Sequence, residues 1–278
     1  NQSAPATVVT KDDLTAEDLL LYTKPQPYWE QTLEINQLSE KLKSSRNIYD
    51  WLIKQGYNNF KLLDNLRFEE GEDNADLEYA KELASLGEVY VNEAFGSHHP
   101  AASTTVLPTL LPHAAGFHFA EEVRKLREVR ENPKRPLIVI IGGVKLEDKL
   151  PAIEAMKKVA DQVLIGGKIA SEIGLSKDLT EDGLDINNET ISQWEKVLQN
   201  ASMIVWNGPL GKEDHGTHEI AKAIINSGAE SIVGGGDTVA LLNKFDLLDQ
   251  FSFVSVGGGA MLKFLADGTL PTIEVLDL

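Results

Sequence analysis

Cysteine is absent from the 278 residues. That excludes disulfides, thiolate metal sites and a cysteine nucleophile, and it fits a reducing compartment. No apolar run approaches the roughly 18 residues that mark a membrane-spanning helix. The opening stretch, NQSAPATVVTKDDLT, lacks methionine. It has neither the apolar core of a signal peptide nor the basic character of a transit peptide, so a cytoplasmic location is expected. Three common signatures are missing as well. There is no GxxxxGK[ST] loop, no GxGxxG fingerprint and no GxSxG elbow, which removes the P-loop, dinucleotide and serine-hydrolase readings. Positive charge is scarce: 26 Lys and Arg stand against 43 Asp and Glu, a formal net charge of −17. Such a chain repels nucleic acid and anionic lipid at long range, so neither is an expected partner. If its ligand is a phosphate compound, backbone amides and a few lysines must hold that ligand against the overall field.

Apolar residues make up 42% of the sequence, enough for well-packed cores. At about 150 residues per domain, the length suggests two. The first part is weakly patterned. A short helix is expected after Thr10 or Thr15, a turn at KPQPYW (24–29), and one or two helices over 33–56. FKLLDNLRF (60–68) reads as a strand, Glu78 to Leu86 as a helix, VYVNEAF (89–95) as a strand, and GSHHPAASTTVLP as an irregular loop. Strand, helix, strand at this spacing is a βαβ pattern. A charged helix is expected from about His118 to Glu131, broken by NPKRP (132–136).

From residue 136 the rhythm is regular. PLIVIIGG (136–143), DQVLIGG (161–167), SMIVWNGPLG (202–211), ESIVGGGDT (230–238) and FSFVSVGGGA (251–260) are five apolar runs that stop in glycines. Helical stretches alternate with them, the first from about Leu150 to Val159. Continuous apolar runs are the mark of strands covered on both faces. A mostly parallel sheet follows, with its ligand at the carboxyl ends of the strands. Glycines there let the backbone approach an anion, and the helix starts behind them offer free N–H groups. Lys145 and Lys149 lie four residues apart beyond Gly142 and Gly143. If that stretch begins a helix, both ammonium groups point one way and suit phosphate oxygens; an ordinary solvated face is the plainer alternative. Asp237 stands at a helix start, as a cap or beside bound Mg2+ and phosphate. His98 and His99 are neighbours in a loop with no further His or Asp cluster to support a metal. Trp194 and Trp206 read as core or interface aromatics.

Together these segments resemble phosphoglycerate kinase. In the first half the matching pieces are LLDNLRF (62–68), GEDNADLEYAKELASLG (71–87) and VYVNEAFG (89–96). In the second they are RPLIVIIGGVKLEDK (135–149), ADQVLIGG (160–167), GLDINNET (183–190), MIVWNGPLG (203–211), GT (216–217), SIVGGGDT (231–238) and VSVGGGAMLKFLADGTLP (254–271). The resemblance implies an α/β fold of two Rossmann-like three-layer (α/β/α) domains with mainly parallel sheets. It places a reduced N-terminal, triose-side domain at 1–117, a hinge helix and linker at 118–134, and a C-terminal nucleotide-binding domain at 135–278. It implies reversible phosphoryl transfer between 1,3-bisphosphoglycerate and ADP, with Mg2+, by a monomer. Lys145, Gly258 and Gly259 would act on the transferring group. Gly142, Gly143, Lys149, Asn207, Gly208, Pro209, Glu213, Gly235, Gly236, Asp237 and Thr238 would bind ADP or ATP, with Asp237 the Mg2+-associated aspartate. His98, His99 and Arg67 would face the phosphoglycerate.

The sequence departs from the family pattern on the substrate side. A DFNVP-like opening and an SHLGRP motif are absent. NEAFGSHHPAAS carries Pro100 where a basic residue might stand, and Val256 replaces a threonine while Ser255 is kept. Lys41, Lys43, Arg46 and Arg67 are the candidate replacement cations. Only about sixteen residues lie between the glycines at 166–167 and GLDI, where the family carries a long insert, and Lys168 falls where a third glycine is usual. Two other readings therefore stand beside the kinase: a non-catalytic nucleotide-binding or structural subunit, and a kinase for another, less charged acceptor.

Overall fold

The computed structural model describes residues 63–211 and 214–278. The expected features before residue 63, with Lys41, Lys43, Arg46 and Glu213, lie outside the described residues. The chain divides into two compact units. One holds the described residues up to Glu121 together with Pro271–Leu278; the other is Glu122–Leu270.

In the first unit a 3-10 turn at Leu66–Phe68 leads to α1 (Glu70–Asp73), α2 (Leu77–Ala84) and β1 (Tyr90–Asn92). A π-turn at Ala102–Val106 and a 3-10 turn at Leu107–Leu110 then precede β2 (His113–Ala115) and α3 (Phe117–Glu131), the helix that carries the chain into the second unit. Asp76 starts α2 by accepting the Tyr79 N–H, the usual work of an N-cap. β1 pairs in parallel with β2, Tyr90 opposite His113. The strand expected over 60–68 is not formed at its described end. Asn65 accepts the Arg67 N–H at 3.1 Å and bends the chain into the 3-10 turn. The loop expected after residue 96 is more ordered than a coil. Buried Glu72 takes both the N–H and the hydroxyl of Ser103, at 3.0 and 2.5 Å, and so anchors the π-turn.

The second unit alternates strand and helix. β3 (Leu137–Ile141), α4 (Leu150–Val159), β4 (Gln162–Ile165), α5 (Lys168–Glu172), α6 (Asn188–Leu198), β5 (Met203–Asn207), α7 (His215–Ser227), β6 (Glu230–Gly234), α8 (Gly236–Lys244), β7 (Phe253–Ser255) and α9 (Gly258–Asp267) follow in order. A last short helix, α10 (Pro271–Glu274), returns to the first unit. The five strands form one parallel sheet in the order β4-β3-β5-β6-β7. Every residue of β3 and β5 is buried, as an interior strand covered on both faces requires. Each Leu or Ile so buried contributes roughly 1.5–3 kcal/mol over an exposed one. α4 packs against α9, and α6 against α7.

Within this unit α3 holds α9 near both ends. Glu122 accepts the Val256 N–H at 2.7 Å, just before α9. Arg130 donates to the carbonyls of Leu265 and Ala266 at its far end. Lys125 on the helix and Lys134 just beyond it both reach Glu230, at 2.5 and 2.7 Å, and tie the helix and the segment after it to the start of β6.

Candidate functional site

Parallel pairing puts all five carboxyl ends of the second unit's strands on one edge. Ile141 lies between Ile165 and Asn207, Asn207 beside Gly234, and Gly234 beside Ser255. From β3 the chain builds outward to β4, then crosses back and builds β5, β6 and β7 on the other side. The gap between the ends of β3 and β5 is thus the topological switch point, where open α/β sheets bind their ligands.

The turns at that point are in backbone contact. A methyl on Gly142 would stand 2.2 Å from the Pro209 carbonyl oxygen, and one on Gly208 would stand 2.1 Å from the Gly142 oxygen. Gly208 also has φ +94°, a conformation that favours glycine. Only glycines allow this approach. The Asn207–Gly208–Pro209 turn is braced from within. Gly208 N–H donates to Thr238 Oγ1 at 2.9 Å, Leu210 N–H to Thr217 Oγ1 at 3.0 Å, and the Trp206 indole to the Gly208 carbonyl at 2.9 Å. Thr238 and Thr217 are wholly buried. Thr238 therefore shapes the turn from behind. Thr217 belongs to the quoted GT dipeptide, to which sequence reasoning gave no role; a buried hydroxyl two turns from a glycine loop is invisible without the fold.

Lys149 crosses the switch point. Its Nζ donates to Asn207 Oδ1 at 2.8 Å, and Asn207 Nδ2 donates to the Gly258 carbonyl at 3.2 Å. Its aliphatic stem lies over Gly143, and its Nζ lies close to Gly208. One line of hydrogen bonds therefore joins the start of α4, through the end of β5, to the start of α9. Burial pushes the Lys149 ammonium down to about 8, against the opposing pull of Asp237 and Asp148. A desolvated cation of this kind regains stability when an anion reaches it.

α8 begins at Gly236 and α9 at Gly258, both without a side-chain cap. Such helix starts present N–H groups and a positive dipole end to an anion. Gly258 packs against Gly235 so tightly that a methyl would lie 2.4 Å from the Gly235 Cα. Asp237 is exposed in the first turn of α8. The conditional helix joining Lys145 to Lys149 is not formed. α4 starts only at Leu150, because the chain first makes a turn in which Lys149 and Leu150 both bond the Leu146 carbonyl. Lys145 is thereby left exposed in the loop while Lys149 folds inward. The structure brings Gly142, Gly143, Lys149, Asn207, Gly208, Pro209, Gly235, Thr238 and Gly258 together on one edge.

Gly236 and Gly259 lie in the first turns of α8 and α9, and the substrate-side candidates lie in the first unit. Arg67 faces Asp73 at 3.6 Å with about half of its side chain exposed. His98 is buried, with Nδ1 3.1 Å from the Gly96 carbonyl oxygen, and its ring lies 4.1 Å from that of exposed His99. Thr104 Oγ1 donates to the His99 carbonyl at 2.9 Å, so the π-turn anchored by Glu72 also holds this pair. Among the described residues no group of three or more His, Asp or Glu is placed to hold a metal ion. None of their helices is long and apolar enough to cross a membrane.

The sequence model of the family described as phosphoglycerate kinase matches residues 50–180 and 172–268. The phosphoglycerate kinase of Thermus thermophilus is 37% identical over 280 residues, covering 78% of this chain and 72% of the relative. That of Leptospira biflexa is 31% identical over 324 residues, covering 91% and 82%. Among solved structures, the phosphoglycerate kinase of Coxiella burnetii superposes with a TM-score of 0.67 at 31% identity, over 77% of this chain and 71% of that one. The Pyrococcus horikoshii enzyme gives 0.69 at 26% identity with the same coverage. The glycine-ended parallel sheet, the turns at its switch point and these likenesses agree: the chain belongs to the phosphoglycerate kinase family.

Proposed function

We propose that the second unit binds ADP or ATP along the strand-end edge, and that the protein transfers a phosphoryl group reversibly between 1,3-bisphosphoglycerate and ADP, giving 3-phosphoglycerate and ATP. The observation that carries this reading is the line from Lys149 through Asn207 to Gly258. It sets a desolvated cation beside two uncapped helix starts at the switch point. Phosphoryl transfer needs little covalent help from a protein; it needs positioning and charge stabilisation. Lys145 and Lys149 supply charge, and the amides at Gly258 and Gly259 accept the transferring group. Gly142, Gly143, Gly208, Pro209, Gly235 and Gly236 let backbone approach the nucleotide. His98, His99 and Arg67 are the triose-side groups.

Mg2+ fits the donor set in one form. A single exposed carboxylate, Asp237, suits an ion that also takes oxygens from the nucleotide and keeps several waters; it does not suit an ion held by protein alone. Bound there, the ion would offset charge on the phosphates. The protein is read as a cytoplasmic monomer acting on small molecules.

Separate calorimetric titrations with ADP and with 3-phosphoglycerate, followed by a Mg2+-dependent turnover assay, test the proposal. Binding of both ligands and turnover are expected. Nucleotide binding without 3-phosphoglycerate binding or turnover would sink the kinase. That outcome belongs to a second reading, a non-catalytic nucleotide-binding or structural subunit. It is favoured by Arg67 already facing Asp73 and by Val256, 40% exposed, in place of the family threonine.

A further inference from the structure

The first unit contains a buried carboxylate to which the proposed transfer gives no work. Glu72, on α1, is 5% exposed and turns both oxygens to one residue. Oε2 accepts the Ser103 N–H at 3.0 Å and Oε1 the Ser103 hydroxyl at 2.5 Å. Hydrogen bonds to a charged acceptor are the strong ones, and these two reach the π-turn from 31 residues away. Around Ser103 the turn closes on itself: the Thr105 N–H and Oγ1 both donate to the Ala101 carbonyl, at 3.0 Å each. Thr104 points the other way, its Oγ1 donating to the His99 carbonyl at 2.9 Å. Ser103 and Thr104 are both buried, so each bond is made away from water.

His99 is thereby restrained from two sides. Pro100 disfavours the helical region for its backbone, and Thr104 fixes its carbonyl. Its exposed ring stacks on the buried ring of His98, with centroids 4.1 Å apart and planes inclined by 36°. His98 is itself set by the Gly96 carbonyl, 3.1 Å from its Nδ1. An imidazole lacks the forked donors of a guanidinium. A histidine pair that stands where the family carries an arginine therefore gains most from being held ready before its ligand arrives. We propose that Glu72 is a positioning residue for phosphoglycerate: through Ser103 and Thr104 it holds the His98–His99 pair in the geometry that meets the anionic groups of the ligand. The inference rests on the triose-side reading above.

The test titrates 3-phosphoglycerate and ADP calorimetrically into wild type, Thr104→Val, Thr104→Ser and Glu72→Gln, beside a thermal unfolding curve and the imidazole proton resonances of each. The chain has six histidines, few enough to follow singly. Thr104→Val removes the bond to His99. It should lose roughly tenfold in 3-phosphoglycerate affinity, the scale of one hydrogen bond, shift the resonances of His98 and His99, and keep its ADP affinity. Thr104→Ser keeps the hydroxyl and should restore both the affinity and the resonances. Glu72→Gln exchanges one acceptor for an NH2 and should move the same two resonances with a smaller loss. A merely structural role lowers apparent affinity only by the fraction unfolded and leaves the resonances of the folded protein in place. Unchanged 3-phosphoglycerate affinity in folded Thr104→Val overturns the inference alone, as does a loss without movement of those resonances. Absence of 3-phosphoglycerate binding in wild type overturns the triose-side reading and the inference with it. If Thr104→Val does not fold, Glu72→Gln decides: selective loss of 3-phosphoglycerate with shifted resonances supports the inference, and unchanged affinity ends it.

Discussion

A lysine drawn away from solvent carries a cost that varies with pH, and Lys149 carries it in a definite window. Its folded value of about 8 lies below the ordinary 10.5. The unfolded chain therefore holds more protons between those limits, so stability should rise with pH across them. Below pH 8 the full cost of the buried charge is present; above 10.5 it has gone. Unfolding measured from pH 7 to 11 should show this gain in wild type and not in Lys149→Met. An anion at the site restores the charged form, so ADP binding near pH 9 should take up a proton. Calorimetry in buffers of different ionisation enthalpy reads that uptake, and its absence would remove Lys149 from the phosphate contacts.

At the scale of the element, the Asn207–Gly208–Pro209 turn depends on a hydroxyl from α8, the helix that follows the neighbouring strand β6. Thr238→Val leaves the buried Gly208 N–H without its acceptor, which should cost about 1–3 kcal/mol. Thr238→Ser keeps the oxygen and should cost less. Urea unfolding of the pair, with ADP titration of each, separates the lost bond from a displaced turn; equal losses in both variants would point to packing of the methyl instead.

The elements of the second unit were legible because their physics is local. Strands such as Leu137–Ile141, buried on both faces, must be apolar throughout, and each stops where backbone needs glycine. The first unit was less legible. Its observed parallel pair joins Tyr90–Asn92 to His113–Ala115, two three-residue strands too short to show a period. Asn65, which turns the expected strand into a 3-10 turn, acts through one side-chain bond that no pattern announces. In the site, the glycines and lysines were readable as residue types. The inward fold of Lys149 and the work of Thr217 depend on contacts across 58 and 7 residues, which only the fold creates.

At the scale of the molecule, the net charge of −17 opposes every anionic ligand named above. The screening length falls from about 30 Å at 0.01 M salt to about 8 Å at 0.15 M, so the repulsion reaches an approaching nucleotide only at low salt. Stopped-flow association of ADP should accelerate as salt rises through that range; slower association throughout would mean that the local cations dominate the approach. The final residues make a second prediction. Thr272 and Ile273 are buried in the first unit, where α10 packs on the π-turn. Removing 271–278 should loosen the first unit, while hydrogen exchange in β3 and β5 stays slow.

That return of the chain has a consequence for synthesis on the ribosome. The second unit is one unbroken stretch, Glu122–Leu270, whereas the first draws on both sides of it. The portion made first must therefore wait, unfinished, until the portion made later has been completed and residues 271–278 have emerged. Nascent chains arrested before that point should resist protease across the later unit and yield across the earlier one.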